Sequence, residues 1–107
     1  MEARPRRIAH YVAADGSCPF REWMAAARKQ VIHAKISQRI DRVEQGNLGK
    51  YRSVGEGVCE FIIDFGPGYP VYFGQDGDSV VLQCVGDKST QAEDITRAKR
   101  YWEDYNA

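Results

Sequence analysis

Val58-Cys59-Glu60-Phe61-Ile62-Ile63-Asp64-Phe65, then Gly66-Pro67-Gly68, then Tyr69-Pro70-Val71-Tyr72-Phe73: this stretch of a 107-residue chain reads as two strands joined by a tight turn. Side chains alternate across a strand, so Cys59, Phe61, Ile63 and Phe65 share one face and look buried, while Val58, Glu60, Ile62 and Asp64 share the other. Tyr69, Val71 and Phe73 alternate in the same way with Pro70 and Tyr72. Proline cannot donate to a ladder, so Pro70 belongs at a strand start or an outward edge position. Gln75-Asp76-Gly77-Asp78 carries the Asp-Gly hairpin signal. A third strand follows, with Val80, Leu82 and Cys84 alternating against Val81, Gln83 and Val85. Three consecutive antiparallel strands are therefore expected between Val58 and Val85.

Upstream of this block the period changes from two to that of a helix. Pro19 suits a first helical position, where its missing N–H is no loss. Phe20, Trp23, Met24 and Ala27 recur at helical spacing behind it. A second helix is predicted from about Val31 to Gln45, with Ile32, Ile36, Ile40 and Val43 as its apolar stripe. Gly46-Asn47 closes it, since both residues tolerate the left-handed conformation of a helix end. Arg28, Lys35, Arg39 and Arg42 form a separate basic stripe. Ile8 to Val12 is a short candidate strand with His10 at its centre. Downstream, Thr90-Gln91-Ala92-Glu93 reads as a capping box, ahead of a helix with Ile95, Ala98, Trp102 and Tyr105 on one face. The order β-α-α-β-β-β-α predicts one α+β domain over residues 1–107, an antiparallel sheet with helices packed on one face.

A chain of this length supports one compact core. No apolar run approaches a membrane span, and Met1-Glu2-Ala3-Arg4-Pro5 is not followed by the apolar stretch of a signal peptide. Cys18, Cys59 and Cys84 are odd in number and far apart, and no CxxC or CxxH spacing occurs. Neither a zinc site nor a disulfide framework is suggested, and a reducing cytoplasm fits. The net charge of zero hides an asymmetry. Through Arg52 there are eleven bases against five acids; beyond it there are four against ten. A basic half suits a phosphate backbone, although solvated helices account for the same charges.

Beyond these patterns, several motifs stand in a telling order. They are Gly46-Asn47, Gly55-Glu56-Gly57-Val58-Cys59-Glu60, Gly66-Pro67-Gly68-Tyr69, Gly86-Asp87-Lys88-Ser89-Thr90-Gln91 and Asp94-Ile95. Each alone is a common turn, but their order and spacing, from Pro19-Phe20-Arg21-Glu22-Trp23 to Trp102, resemble the HigB/RelE superfamily of toxins. The nearest resemblance is to the phage-derived addiction-module killer branch. It implies a RelE-like fold and a ribosome-dependent mRNA endonuclease that inhibits translation. It implies three partners: a helix-turn-helix antitoxin that silences the toxin, the ribosome and mRNA. No cofactor and no membrane are implied.

Metal-independent RNA cleavage of this kind uses the 2′-hydroxyl against the adjacent phosphate. The enzyme must take that proton, protonate the leaving oxygen and neutralise charge building on phosphorus. The branch typically carries arginine where this chain has Ile62 and Pro70. The strand phase puts both positions away from the core, where a guanidinium grips phosphate through two bonds. Losing one such contact costs about a hundredfold in rate or more. The residues left as catalytic candidates are Lys50, Arg52, Tyr72 and Lys88. Lys50 and Arg52 also read as a solvated loop, Lys88 as a helix-entry residue and Tyr72 as sheet cover. Glu60 as a base and Asp87 and Asp94 as caps of the last helix complete the set. Trp23, Trp102, Tyr101 and Tyr105 are aromatic enough to stack on bases, but the spacing of the tryptophans favours the core. Three readings stay open: a weakened endonuclease, a degenerate homologue that only binds an antitoxin, and a gyrase-directed toxin of ParE type.

Overall fold

The computed structural model describes residues 4–27 and 29–107, so Met1-Glu2-Ala3 and Arg28 of the basic stripe lie outside the described residues. The elements run β1 (Arg7–His10), α1 (Pro19–Ala26), α2 (Gln30–Glu44), β2 (Arg52–Gly55), β3 (Val58–Ile63), β4 (Tyr69–Asp76), β5 (Ser79–Val85) and α3 (Gln91–Tyr105). The three central strands appear where the alternation put them. β2 is an addition: four residues after the Gly46-Asn47 helix end, too short to show a period.

The sheet has five strands in the order β1-β5-β4-β3-β2. It is mixed, not purely antiparallel as expected, because β1 lies parallel to β5, with Arg7 opposite Ser79 and His10 opposite Leu82. The other neighbours are antiparallel. Between β1 and β2 the chain crosses the whole sheet through α1 and α2.

The helices are not all on one face, which corrects the second part of the expected architecture. Ile32, Ile36 and Val43 of α2 and Phe20 of α1 pack on Phe61, Ile63, Val71, Phe73, Val80 and Leu82. On the opposite face, Ala98 of α3 packs on Val58, Tyr72 and Cys84, with Ile95 and Trp102 beside them. The reason is legible in the strands. Phe61-Ile62-Ile63, Val71-Tyr72-Phe73 and Val80-Val81-Leu82 are apolar in both phases, the mark of strands buried on both sides. Each aliphatic or aromatic side chain fully buried there contributes about 1.5–3 kcal/mol.

A bulge corrects the phase of β5. Tyr72 pairs with Cys84 but Phe73 pairs with Leu82, so Gln83 is the extra residue. Beyond it the alternation reverses: Cys84 faces α3 and Val85 joins the α1/α2 core. The capping box is also replaced. Asp87 accepts from the Ser89 N–H at 2.8 Å, capping a 3-10 turn over Lys88–Thr90. The Ser89 hydroxyl, which donates to the same carboxyl, and then the Ser89 N–H hold that group below the usual range. The Thr90 hydroxyl instead donates to Asp94 Oδ2 at 2.6 Å.

Candidate functional site

β2 covers only part of β3. The ladder pairs Arg52 with Glu60, Ser53 with Cys59 and Gly55 with Val58, and goes no further. From Phe61 to Ile63 the outer edge of β3 has no strand beside it among the described residues, and a cleft of about 300 Å³ opens there. Lys50, Tyr51 and Arg52 line it from the loop and β2, and Phe61, Ile62 and Asp64 from β3 and the residue after it. A second cleft of about 220 Å³ continues from it and shares Arg39, Ile62 and Asp64. Lys35 and Arg42 border that extension. The basic stripe of α2 therefore meets the two loop bases along one groove.

Arg39 builds the groove more than it serves it. Its Nη2 donates to the carbonyls of Leu48 at 3.1 Å and Lys50 at 2.8 Å, clipping the loop that carries Lys50. Its guanidinium lies 4.7 Å from the centre of the Phe61 ring, a cation over a π face. Burial, and secondarily the Arg42 charge, pull its pKa down. The clip needs a glycine at 49: a Cβ there would sit 2.9 Å from Arg39 Nη2, on a backbone with φ of +63° that L side chains rarely adopt.

Arg52 is anchored differently. Its Nε donates to Glu60 Oε1 at 2.5 Å; the Glu60 side chain is 0% exposed and that of Arg52 65% exposed. Gln91, the first residue of α3, donates from Nε2 to Glu60 Oε2 at 3.1 Å. Glu60 thus ties the groove wall, the sheet and α3 together. An exposed catalytic base was one sequence reading of Glu60. The buried, doubly bonded carboxylate found here is a brace, since a buried charge must be paired.

Tyr72 and Lys88 lie elsewhere. Tyr72 occupies the face away from the main core, as its phase required, but α3 covers that face and the residue is 0% exposed. Its hydroxyl has no hydrogen-bond partner among the described residues. Burial, then the Glu60 and Asp94 charges, push its pKa strongly up. It does not open into the groove. Lys88 is exposed at the start of the 3-10 turn. Its stem and Ile62 meet over Gly68: a Cβ on Gly68 would lie 3.1 Å from Lys88 Cε and 3.5 Å from Ile62 Cγ2.

The two arginine-replacing residues pair with each other across β3 and β4. Both stand in the phase opposite Phe61, Ile63 and Val71, as expected. Pro70 is the second residue of its strand, the predicted strand start. The assumption that both positions are open is corrected: Pro70 is buried and Ile62 half-buried. Trp23 packs on the α1/α2 core. Trp102 packs on the α3 side, lying against Gly57 and Gly74 where any larger residue would strike it.

Asp64 and Tyr51 were not singled out from sequence as site residues. Asp64 shares the phase of Glu60 and Ile62, which was the available signal. Tyr51 had none, because its place depends on where the loop clips to Arg39. No helix among the described residues is long and apolar enough to cross a membrane.

A protein of Haemophilus influenzae, described as uncharacterised, is 46% identical over 81 residues, which is 75% of this chain and 82% of that protein. No family model matches the chain, and no solved structure matches it.

Proposed function

The chain belongs to one family with that Haemophilus influenzae protein, and we propose that it is the toxin of a type II toxin–antitoxin pair. In this reading it is a metal-independent, ribosome-dependent mRNA endonuclease of HigB/RelE type, slowed by Ile62 and Pro70. The observation that carries the reading is the groove at the open edge of β3, which Lys35, Arg42, Lys50 and Arg52 border. Cations spaced along an open strand edge suit a phosphodiester backbone. The motif resemblance supplies the reaction and the antitoxin partner.

Within it, Lys50 and Arg52 contact phosphate, with Arg52 held in place by Glu60. Lys88, whose stem meets Ile62 over Gly68 where the branch has arginine, neutralises charge on the scissile phosphate. Tyr72 supports α3 from beneath and does not touch RNA. A chain that binds antitoxin without cutting is the competing reading, favoured by the buried Pro70: this position offers RNA neither charge nor access.

The test is induction of the chain with and without a neighbouring helix-turn-helix reading frame, followed by mapping of mRNA ends on ribosomes. Slow cleavage and tight antitoxin binding are expected. Replacing the half-buried Ile62 by arginine should raise cleavage, and Lys88→Ala in that background should lower it about a hundredfold. Vigorous cutting by the unaltered chain would show that the arginines are dispensable. Antitoxin binding with no cutting in either form would establish the binding-only reading, and gyrase inhibition would establish the ParE type.

A further inference from the structure

The groove at the open edge of β3 holds one carboxylate without a direct ion-pair partner among the described residues. Asp64 directly follows β3, is exposed and borders both clefts. Among the described residues it makes no ion pair. The groove's other acid, Glu60, is already bonded to Arg52 and Gln91. Lys50 and Arg52 line the same cleft as Asp64, together with Ile62 and the Tyr51 ring. Tyr51 is 42% exposed and held edge-on against Phe73, with ring centres 5.6 Å apart.

A free carboxylate in a basic groove repels a simple anion. The occupant that fits must bring negative charge for Lys50 and Arg52, a flat apolar body for Tyr51 and Ile62, and hydrogen-bond donors for Asp64. A nucleotide of single-stranded RNA brings all three, because its base is free to stack and to present its Watson–Crick edge. The cleft volume is at the small end of ligand sites and suits one nucleotide. An ionised carboxylate only accepts. Guanine sets N1–H and N2–H side by side on that edge, so both carboxylate oxygens are used. Adenine and cytosine place one amino group beside a ring-nitrogen lone pair, and uracil places one N–H between two carbonyls. Each of these leaves one Asp64 oxygen facing a lone pair.

We propose that Asp64 selects guanine in single-stranded RNA seated in this cleft. The inference rests on the reading that RNA occupies the groove, and deepens it by naming the base. It is tested with fluorescence anisotropy at low salt, using labelled uridine octamers with one central guanosine, inosine, adenosine or cytidine. The guanosine octamer should bind about tenfold tighter than the others, in line with a bidentate base contact. Inosine, which lacks the N2 amino group, should lose most of that gain. Asp64→Asn should erase the preference while the all-uridine octamer binds as well or better; the site is exposed, so the variant should fold. Equal binding of all octamers by the unaltered chain would sink base selection and leave RNA binding standing. A preference that survives Asp64→Asn would assign the selection to another residue and overturn the proposal. Failure to bind any octamer would remove RNA from the groove altogether, and base selection with it.

Discussion

The two faces of the sheet are built from different chemistry. Beneath α1 and α2 the contact is hydrocarbon: Ile36, Phe61, Val71, Phe73 and Val80 are at most 1% exposed. Beneath α3 the apolar patch around Val58, Cys84 and Ala98 is interrupted by polar groups. Glu60 and Asp94 are buried there, bonded respectively to Arg52 and Gln91 and to Thr90 and Arg97. The Tyr72 hydroxyl sits among them unpartnered. Each of these carboxylates is buried against a largely exposed arginine, so its pairing does little more than offset its own desolvation, and the α1/α2 face should carry most of the stability. The α3 face holds charge in fixed positions at the groove, and a face needed for charge placement cannot be all hydrocarbon.

The largest test of that contrast is Phe73→Ala. Phe73 is 1% exposed and packs on Phe61 with ring centres 5.5 Å apart. Its truncation should cost about 3–5 kcal/mol, a large share of what a domain of this size has. Urea unfolding reads it directly, and a loss under about 1 kcal/mol would deny the α1/α2 face its role.

Next comes Arg52→Ala, which leaves Glu60 buried with Gln91 alone. A loss of about 1–3 kcal/mol is expected. Adding Glu60→Gln should recover part of it, since the stranded charge is then gone. Additive losses in that double-mutant cycle would mean that the pair is not coupled.

A pH effect should follow from the other end of α3. The Tyr11 hydroxyl donates to Asp104 Oδ2 at 2.6 Å and its ring stacks on Tyr101. That bond first, then burial, push the Tyr11 pKa from 10.0 up to about 12. Tyrosine is neutral below its pKa, so the raised value in the folded state adds stability that is complete below pH 10. It is lost as pH rises through about 12. Unfolding curves between these values should weaken less in Tyr11→Phe than in the unaltered chain. Equal slopes would break the assignment.

Tyr72→Phe should have the smallest effect. Removing an unpartnered buried hydroxyl should leave stability unchanged or raise it by up to about 1 kcal/mol, with RNA cleavage unaffected. A clear loss in either measurement would mean that the hydroxyl has work that its position under α3 hides.

Periodicity in the sequence determined the three central strands, the three helical stripes and the α+β class. Alternation and the 3.6-residue repeat are local properties that survive without a partner. The same patterns put Ile62 and Pro70 in the right phase and Trp23 and Trp102 in the packed interior. Motif order alone carried the family resemblance, and with it Lys50, Arg52 and Lys88 as candidates. What depends on partners far along the chain was decided only by tertiary structure. The bulge at Gln83 turned Cys84 toward α3, and β1 chose a parallel neighbour. Glu60 became a brace because Arg52 and Gln91, 8 and 31 residues away, converge on it. The groove exists because the β2–β3 ladder stops at the Arg52–Glu60 pair and Arg39 clips the loop behind it. Neither event leaves a periodic trace, since a cleft is the space that several segments jointly leave unfilled.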